Sequence, residues 1–153
     1  MKSIDEEIQS HFDDHYQRVI VNILFTNGWL CCALNQQLEK FNLTRQQYNI
    51  LRILKGQYPH GASILLIQER MLDKMSDASR IVGRLLNKQL IVKLPNPTDR
   101  RYSLVSINKK GLNLLEEVRK QMNSHDFISK SLTEEEAILL SHLLDKVRQF
   151  NDE

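Results

Sequence analysis

Cysteine is almost absent from this chain of 153 residues: Cys31 and Cys32 are the only two. Adjacent positions on a helix point about 100° apart and do not readily pair with each other, which argues against a disulfide scaffold. No cationic residue flanks them closely enough to lower a thiol pKa, so two buried, structural thiols are the expectation. A signal-like N-terminal stretch is lacking, and no hydrophobic span of about 20 residues stands out. A soluble, cytoplasmic protein with no membrane partner is the corresponding expectation. Catalytic signatures are missing too. There is no glycine-rich phosphate loop, no metalloprotease His-Glu motif and no nucleophile elbow, so neither an enzyme nor a cofactor is expected. His11 and His15 stand four apart with Asp14 nearby. That spacing can chelate a transition metal on a helix, which keeps a metal-responsive protein as an alternative.

Net charge is small as well, at +2, but it is unevenly distributed. Residues 74–110 hold nine basic residues (Lys74, Arg80, Arg84, Lys88, Lys93, Arg100, Arg101, Lys109, Lys110) against Asp77 and Asp99, a balance of +7. The flanks, residues 1–73 and 111–153, come to −1 and −4. A cationic island between two mildly acidic flanks is the electrostatic footprint of a nucleic-acid-binding face.

Within that island the pattern is specific. Ser76 is a good helix N-cap, since its hydroxyl can accept from an amide one turn on. Apolar residues then follow at Ala78, Ile81, Val82, Leu85 and Leu86, the spacing of one helical face. The opposite face collects Ser76, Arg80, Gly83, Arg84 and Asn87. Glycine inside a helix costs roughly 1 kcal/mol against alanine, and close approach to a phosphate backbone is one reason to keep it. Residues 91–94 and 102–107 read as strands, separated by the turn chemistry of Pro95, Asn96, Pro97, Thr98 and Asp99. Arg100 and Arg101 therefore stand at the tip of a projecting ribbon, where arginine suits a narrow minor groove or a phosphate. Asp99 is placed to hold the arginine pose.

The order of these elements, with Ser76-Asp77-Ala78-Ser79-Arg80, Leu85-Leu86-Asn87-Lys88-Gln89-Leu90-Ile91, Asp99-Arg100-Arg101 and Ile107-Asn108-Lys109-Lys110-Gly111, resembles the MarR family, the multiple antibiotic resistance regulators. The likeness runs over nearly the whole chain. It implies a mainly α fold with a small β-hairpin wing, a winged helix-turn-helix inside an obligate homodimer. By this resemblance the chain is one MarR-like domain, residues 1–153. Residues 1–42 and 109–153 supply dimerisation helices and residues 43–108 the DNA-binding lobe. Double-stranded DNA is then the expected partner, met by Ser76, Asp77, Ser79, Arg80, Gly83, Arg84 and Asn87 in the major groove. Asp99, Arg100 and Arg101 would reach the minor groove. Three positions depart from the family pattern. Gln89 stands where glycine is usual at the helix C-cap, Asn108 where threonine is usual, and Gly83 where an acidic residue is common. Many relatives are released from DNA by a small aromatic or phenolic effector, for which Tyr16, Arg18, Trp29 and Tyr48 are the candidate pocket residues. Trp29 and Tyr48 have a competing reading as core residues. A non-DNA-binding winged-helix interaction module is the alternative from another class.

The rest of the chain reads as scaffold. Apolar residues recur every three or four positions from Ile4 to Phe41, giving one or two long amphipathic helices with Asn27-Gly28 as the expected weak point. Thr44 with Gln47, and Thr133 with Glu136, form capping boxes for two more helices. The first is expected to bury Tyr48, Leu51 and Leu54, and the last carries Leu140, Leu143, Leu144, Val147 and Phe150 on one face. A short helix over residues 66–72 is the first half of the helix-turn-helix. Asn108 or Lys109 opens another, with Leu112, Leu115, Val118 and Met122 aligned. These terminal stripes exceed what a monomeric winged helix would cover, which favours a homodimer over an intramolecular bundle.

Overall fold

Side-chain caps set most of the helix boundaries. The computed structural model describes residues 2–96, 102–122 and 126–149. Helix α1 (Ile4–Ile8) starts at a reciprocal cap between Ser3 and Glu6 and stops at Gln9, which is left-handed at φ 52°. Helix α2 (His15–Glu39) starts where the Asp14 carboxylate accepts from the amides of Tyr16 and Gln17, at 2.9 and 3.3 Å. The break in the N-terminal region therefore lies between Ile8 and His15, not at Asn27-Gly28, through which α2 runs uninterrupted. A single interior glycine costs about 1 kcal/mol, less than interrupting a long helix. The same boundary separates His11 from His15. His11 lies in the connection facing Asp13 at 3.4 Å, while His15 opens α2, so the two are not successive turns of one helix.

Helix α3 (Arg45–Gln57) carries the expected box: the Thr44 hydroxyl accepts from the Gln47 amide, and the Gln47 side chain accepts from the Thr44 amide, both at 3.2 Å. Its buried face is Gln47, Ile50, Leu51 and Leu54. Tyr48 is only half-buried, because it lies at the margin of that face. Its ring sits under the Arg52 guanidinium, 5.8 Å from the centroid. Ser63 caps helix α4 (Ile64–Arg70), and helix α5 (Ala78–Asn87) follows. Strands β1 (Ile91–Pro95) and β2 (Ser103–Ile107) pair antiparallel, with Ile91 opposite Ile107 and Pro95 opposite Ser103. Ala62 adds a bridge to Val105 through amide–carbonyl bonds of 2.8 and 2.9 Å. Gly61 precedes it at φ +80°, and a Cβ there would stand 2.8 Å from the Val105 carbonyl oxygen.

Helix α6 (Lys109–Gln121) is capped by Asn108, whose Oδ1 accepts from the Gly111 amide at 2.9 Å. Gly111 is a packing necessity, since a Cβ would lie 2.3 Å from the Leu90 carbonyl oxygen and 2.7 Å from Ile107. Of the expected α6 stripe, Leu115, Val118 and Met122 are buried. The chain divides into two compact units, Met1–Val118 and Arg119–Glu153. In the first, Ile50, Leu51, Leu54, Ile67 and Leu85 form a core closed to solvent. The second contains helix α7 (Asp126–Ser129), which the sequence pattern did not suggest, and helix α8 (Glu134–Arg148) behind the Thr133–Glu136 box. No residue of α8 is buried; Leu140, Leu143 and Val147 are exposed. Phe150 lies outside the described residues.

The long helix α2 overturns further expectations. Between Arg18 and Glu39 it carries no charge, and by length and composition it could cross a membrane, with a mean hydropathy of 1.2 over its most apolar 18 residues. Asparagine, threonine and glutamine punctuate the apolar residues, which is why the span was not apparent in the sequence. Cys32 is exposed and Cys31 half-buried, so neither is a core thiol. Trp29, expected in the core under one reading, is 50% exposed.

Candidate nucleic-acid interface

The turn between α4 and α5 is tied by its own side chains and by side chains from α3 and α4. The Asp73 carboxylate accepts from the Met75 amide at 3.2 Å, the Ser76 hydroxyl at 2.7 Å and the Gln46 side chain at 3.4 Å. Asn49 on α3 accepts from the Leu72 amide at 3.0 Å. Gln68 on α4 bridges the turn, donating to the Lys74 carbonyl at 3.0 Å and accepting from the Ala78 amide at 3.2 Å. Lys74 in turn donates to the Glu69 carbonyl. The Ser76 hydroxyl bond comes first, and the Gln46 bond second, in holding the Asp73 carboxyl below its ordinary pKa of 3.8. These bonds make the entry to α5 a fixed structure. Of the clamp residues, the sequence singled out Ser76, as a helix cap and DNA contact, but not Asp73, Gln46, Asn49 or Gln68. Asp73, five residues before Ala78, carried a recognisable turn signal, but Gln46, Asn49 and Gln68 are brought to it by tertiary packing.

Ser76 does not cap α5. Its hydroxyl is committed to Asp73, and Asp77 takes the cap, with its carboxylate accepting from the Arg80 amide at 3.0 Å. Aspartate caps as well as serine, so the register of the helix is unaffected. Beyond it, Ala78, Ile81, Val82 and Leu85 are buried, while Asp77, Ser79, Arg80, Arg84 and Asn87 are exposed and Ser76 and Gly83 are half-exposed. The expected outer face is thus assembled on one helix. A Cβ on Gly83 would meet nothing within 4 Å, so packing inside the subunit does not require the glycine.

Gln89 ends the helix without glycine. It adopts φ +57°, its amide donates to the Leu86 carbonyl at 2.8 Å, and the Leu90 amide donates to the Leu85 carbonyl at 3.2 Å. This double bond pattern is the Schellman motif. Lys110 donates to the Lys88 carbonyl at 3.0 Å, and Asn108 to the Gln89 carbonyl at 2.9 Å, so two further side chains anchor the same turn. The hairpin β1–β2 stands beside α5, and a groove of about 770 Å³ lies between them, lined in part by Ser79, Gly83, Lys93, Asn96 and Tyr102. Asp99, Arg100 and Arg101 lie outside the described residues.

The four candidate effector residues occupy separate settings. Tyr16 is 82% exposed near the start of α2, Arg18 pairs with Asp5 at 2.5 Å, and Tyr48 bonds Arg52 at 3.3 Å. Trp29 lies farther along α2. A second hollow, of about 510 Å³, is lined by residues that include Asn35, Glu39, Arg45, Gln47 and Lys88, and by none of these four. There the Lys88 ammonium donates to the Asn42 carbonyl and, at 3.0 Å, to Gln47; partial burial pushes its pKa down. Among the described residues no three His, Cys, Asp or Glu side chains gather as a metal site.

Comparison with known proteins points in one direction. The model of the MarR family matches residues 43–102. The HTH-type transcriptional regulator MhqR of Bacillus subtilis is 26% identical over 117 residues, 74% of this chain and 78% of that protein. The multiple antibiotic resistance protein MarR of Salmonella typhimurium is 28% identical over 117 residues, 74% and 79% of the two chains. Among solved structures, a mutant of Escherichia coli MarR complexed with operator DNA superposes with TM-score 0.74 at 24% identity, covering 88% of this chain and 99% of that one. The organohalide-sensing regulator RdhR in its 2,4-dichlorophenol-bound form gives 0.77 at 21%, covering 90% and 82%.

Proposed function

Because the chain belongs to the MarR family of winged-helix transcriptional regulators, we propose that it is a homodimeric, sequence-specific DNA-binding protein that represses transcription from a pseudo-palindromic operator. The observation that carries this reading is the exposed face of α5, where Ser79, Arg80, Arg84 and Asn87 stand on a helix whose entry and exit are both locked. That face enters the major groove, and Arg100 and Arg101 of the wing reach the adjacent minor groove. The operator complex of the E. coli relative supports the assignment.

Dimerisation rests on uncovered apolar surface. Val19, Ile20, Leu24, Phe25 and Trp29 on α2 are exposed, as are Ile138, Leu139, Leu140, Leu143 and Val147 on α8. A helix apolar on several sides is ordinarily buried, and a second copy of the chain supplies the cover. Residues 1–42 and 109–153 then form the dimer body and residues 43–108 the DNA-binding lobe. A two-fold dimer sets its recognition helices about 34–36 Å apart, so the operator half-sites are about one helical turn apart. An aromatic or phenolic effector, of the kind that the dichlorophenol-bound relative holds, releases the protein by favouring one spacing of the lobes. Tyr16, Arg18, Trp29 and Tyr48 are the residues proposed to meet it. The protein acts in the cytoplasm, not as an enzyme, and without a cofactor.

Selection of bound duplexes from a random pool at about 150 mM salt, where weak phosphate attraction is screened, tests the reading. The expected result is an enriched palindrome with half-sites one turn apart. Folded protein that enriches nothing would overturn it in favour of the interaction module.

A further inference from the structure

Two large apolar side chains stand in solvent on the turn leading into α5: Leu72 is 87% exposed and Met75 is 95% exposed. Single exposed apolar residues are ordinary on protein surfaces. This pair is unusual in its setting. Four neighbouring polar groups are engaged in the clamp: the Leu72 amide with Asn49, the Met75 amide and Ser76 hydroxyl with Asp73, and the Lys74 carbonyl with Gln68. The backbone that carries Met75 is therefore held in place, and its side chain is presented at a fixed point two residues before the Asp77 cap. Next to it in the chain Lys74 is exposed, and the exposed face of α5 that follows carries Ser79, Arg80 and Arg84.

Resting on the DNA-binding reading above, we propose that Met75 is a specificity-determining residue that packs against the 5-methyl group of a thymine in each operator half-site. Only thymine presents a methyl group in the major groove, and an apolar side chain is the group that reads it. Methionine suits this task because it is long, unbranched and polarisable. Its place on the turn just ahead of a recognition helix adjoins the N-terminal residues of that helix, where base edges are met. The hydrogen-bonding residues Ser79, Arg80 and Arg84 recognise other edges; Met75 adds discrimination that they cannot supply, thymine against cytosine or uracil at one position.

The test uses the full-length protein and the duplex enriched by selection. Each thymine of a half-site is replaced in turn by deoxyuridine, which removes the methyl group and leaves base pairing intact. Dissociation constants are measured for the unaltered protein, Met75→Ala and Leu72→Ala. Burying one methyl group is worth about 0.8 kcal/mol, or about fourfold in affinity. One deoxyuridine position should weaken binding by about that factor for the unaltered protein and for Leu72→Ala. Met75→Ala, which alters both subunits of the dimer and so removes two such contacts, should bind the thymine duplex about sixteenfold less tightly and lose the discrimination at that position. Both side chains are exposed, so neither substitution disturbs the core. No methyl effect at any position, or an effect that persists in Met75→Ala, would overturn the assignment and leave the regulator reading intact. Failure to enrich any duplex would overturn both.

Discussion

A methyl group added at Gly83 would meet no atom within 4 Å, so Gly83→Ala should stabilise α5 by roughly 1 kcal/mol, the ordinary difference between the two residues in a helix. The same methyl group would stand between the helix and a duplex that approaches closely. A raised urea midpoint with weakened operator binding is the expected pair of results; a raised midpoint with unchanged affinity would mean that the glycine is merely tolerated. The arginines are expected to separate by what they contact in the proposed complex. Arg101→Ala should weaken binding to operator and random duplex alike, by removing a phosphate or minor-groove contact. Arg80→Ala or Arg84→Ala should cost about 1–3 kcal/mol on the operator and relax preference at particular base pairs. Equal losses on both duplexes for all three would contradict base reading by α5. The exposed face of α5 was legible in residue spacing alone, because a helix with five apolar positions on one side has few ways to turn. The cap was not: Ser76 and Asp77 are both good N-caps, and the choice between them fell to Asp73, which occupies the serine hydroxyl.

At the scale of elements, the ends of α5 hold the useful tension. Gln89 occupies the left-handed region at φ +57°, where a side chain costs roughly 1 kcal/mol that glycine does not incur. Gln89→Gly should therefore raise the unfolding free energy by about that amount in denaturant titration, with no change in DNA specificity. The turn at the other end depends on an ionised Asp73. Its carboxyl is held below 3.8 first by the Ser76 hydroxyl and then by the Gln46 amide, so the folded chain holds that proton less tightly than the unfolded one. The stabilisation is thus present above pH 3.8 and is lost as pH falls through the depressed value. Urea midpoints of the natural chain and Asp73→Asn, compared from about pH 3 to 7, should differ most near neutrality and converge in acid. A constant gap would assign the role of Asp73 to something other than its charge. Capping boxes at Thr44 and Thr133 were readable because both partners are close in sequence. The clamp on Asp73 was not, because Gln46 is 27 residues away.

For the whole molecule, the apolar surface of α2 and α8 sets the outstanding question of assembly. Leu143→Glu, at an exposed position of α8, should leave the fold of the subunit intact by circular dichroism. It should convert the proposed dimer to monomer in sedimentation and abolish binding to the proposed palindrome while sparing weak attraction to random DNA. A dimer that survives the charge would place the interface elsewhere. The sequence by itself determined the winged-helix order, the capped starts of α3, α6 and α8, and the polar, cationic face of α5. Each depends on residues within a turn or two of one another, or on a charge count. Only the tertiary structure decided that α2 runs unbroken past Gly28, that His11 leaves the helix that His15 begins, that Cys32 and Trp29 are exposed, and that Gly111 must lie against Leu90. Those outcomes turn on which distant surfaces meet, and local periodicity carries no information about a neighbour far along the chain.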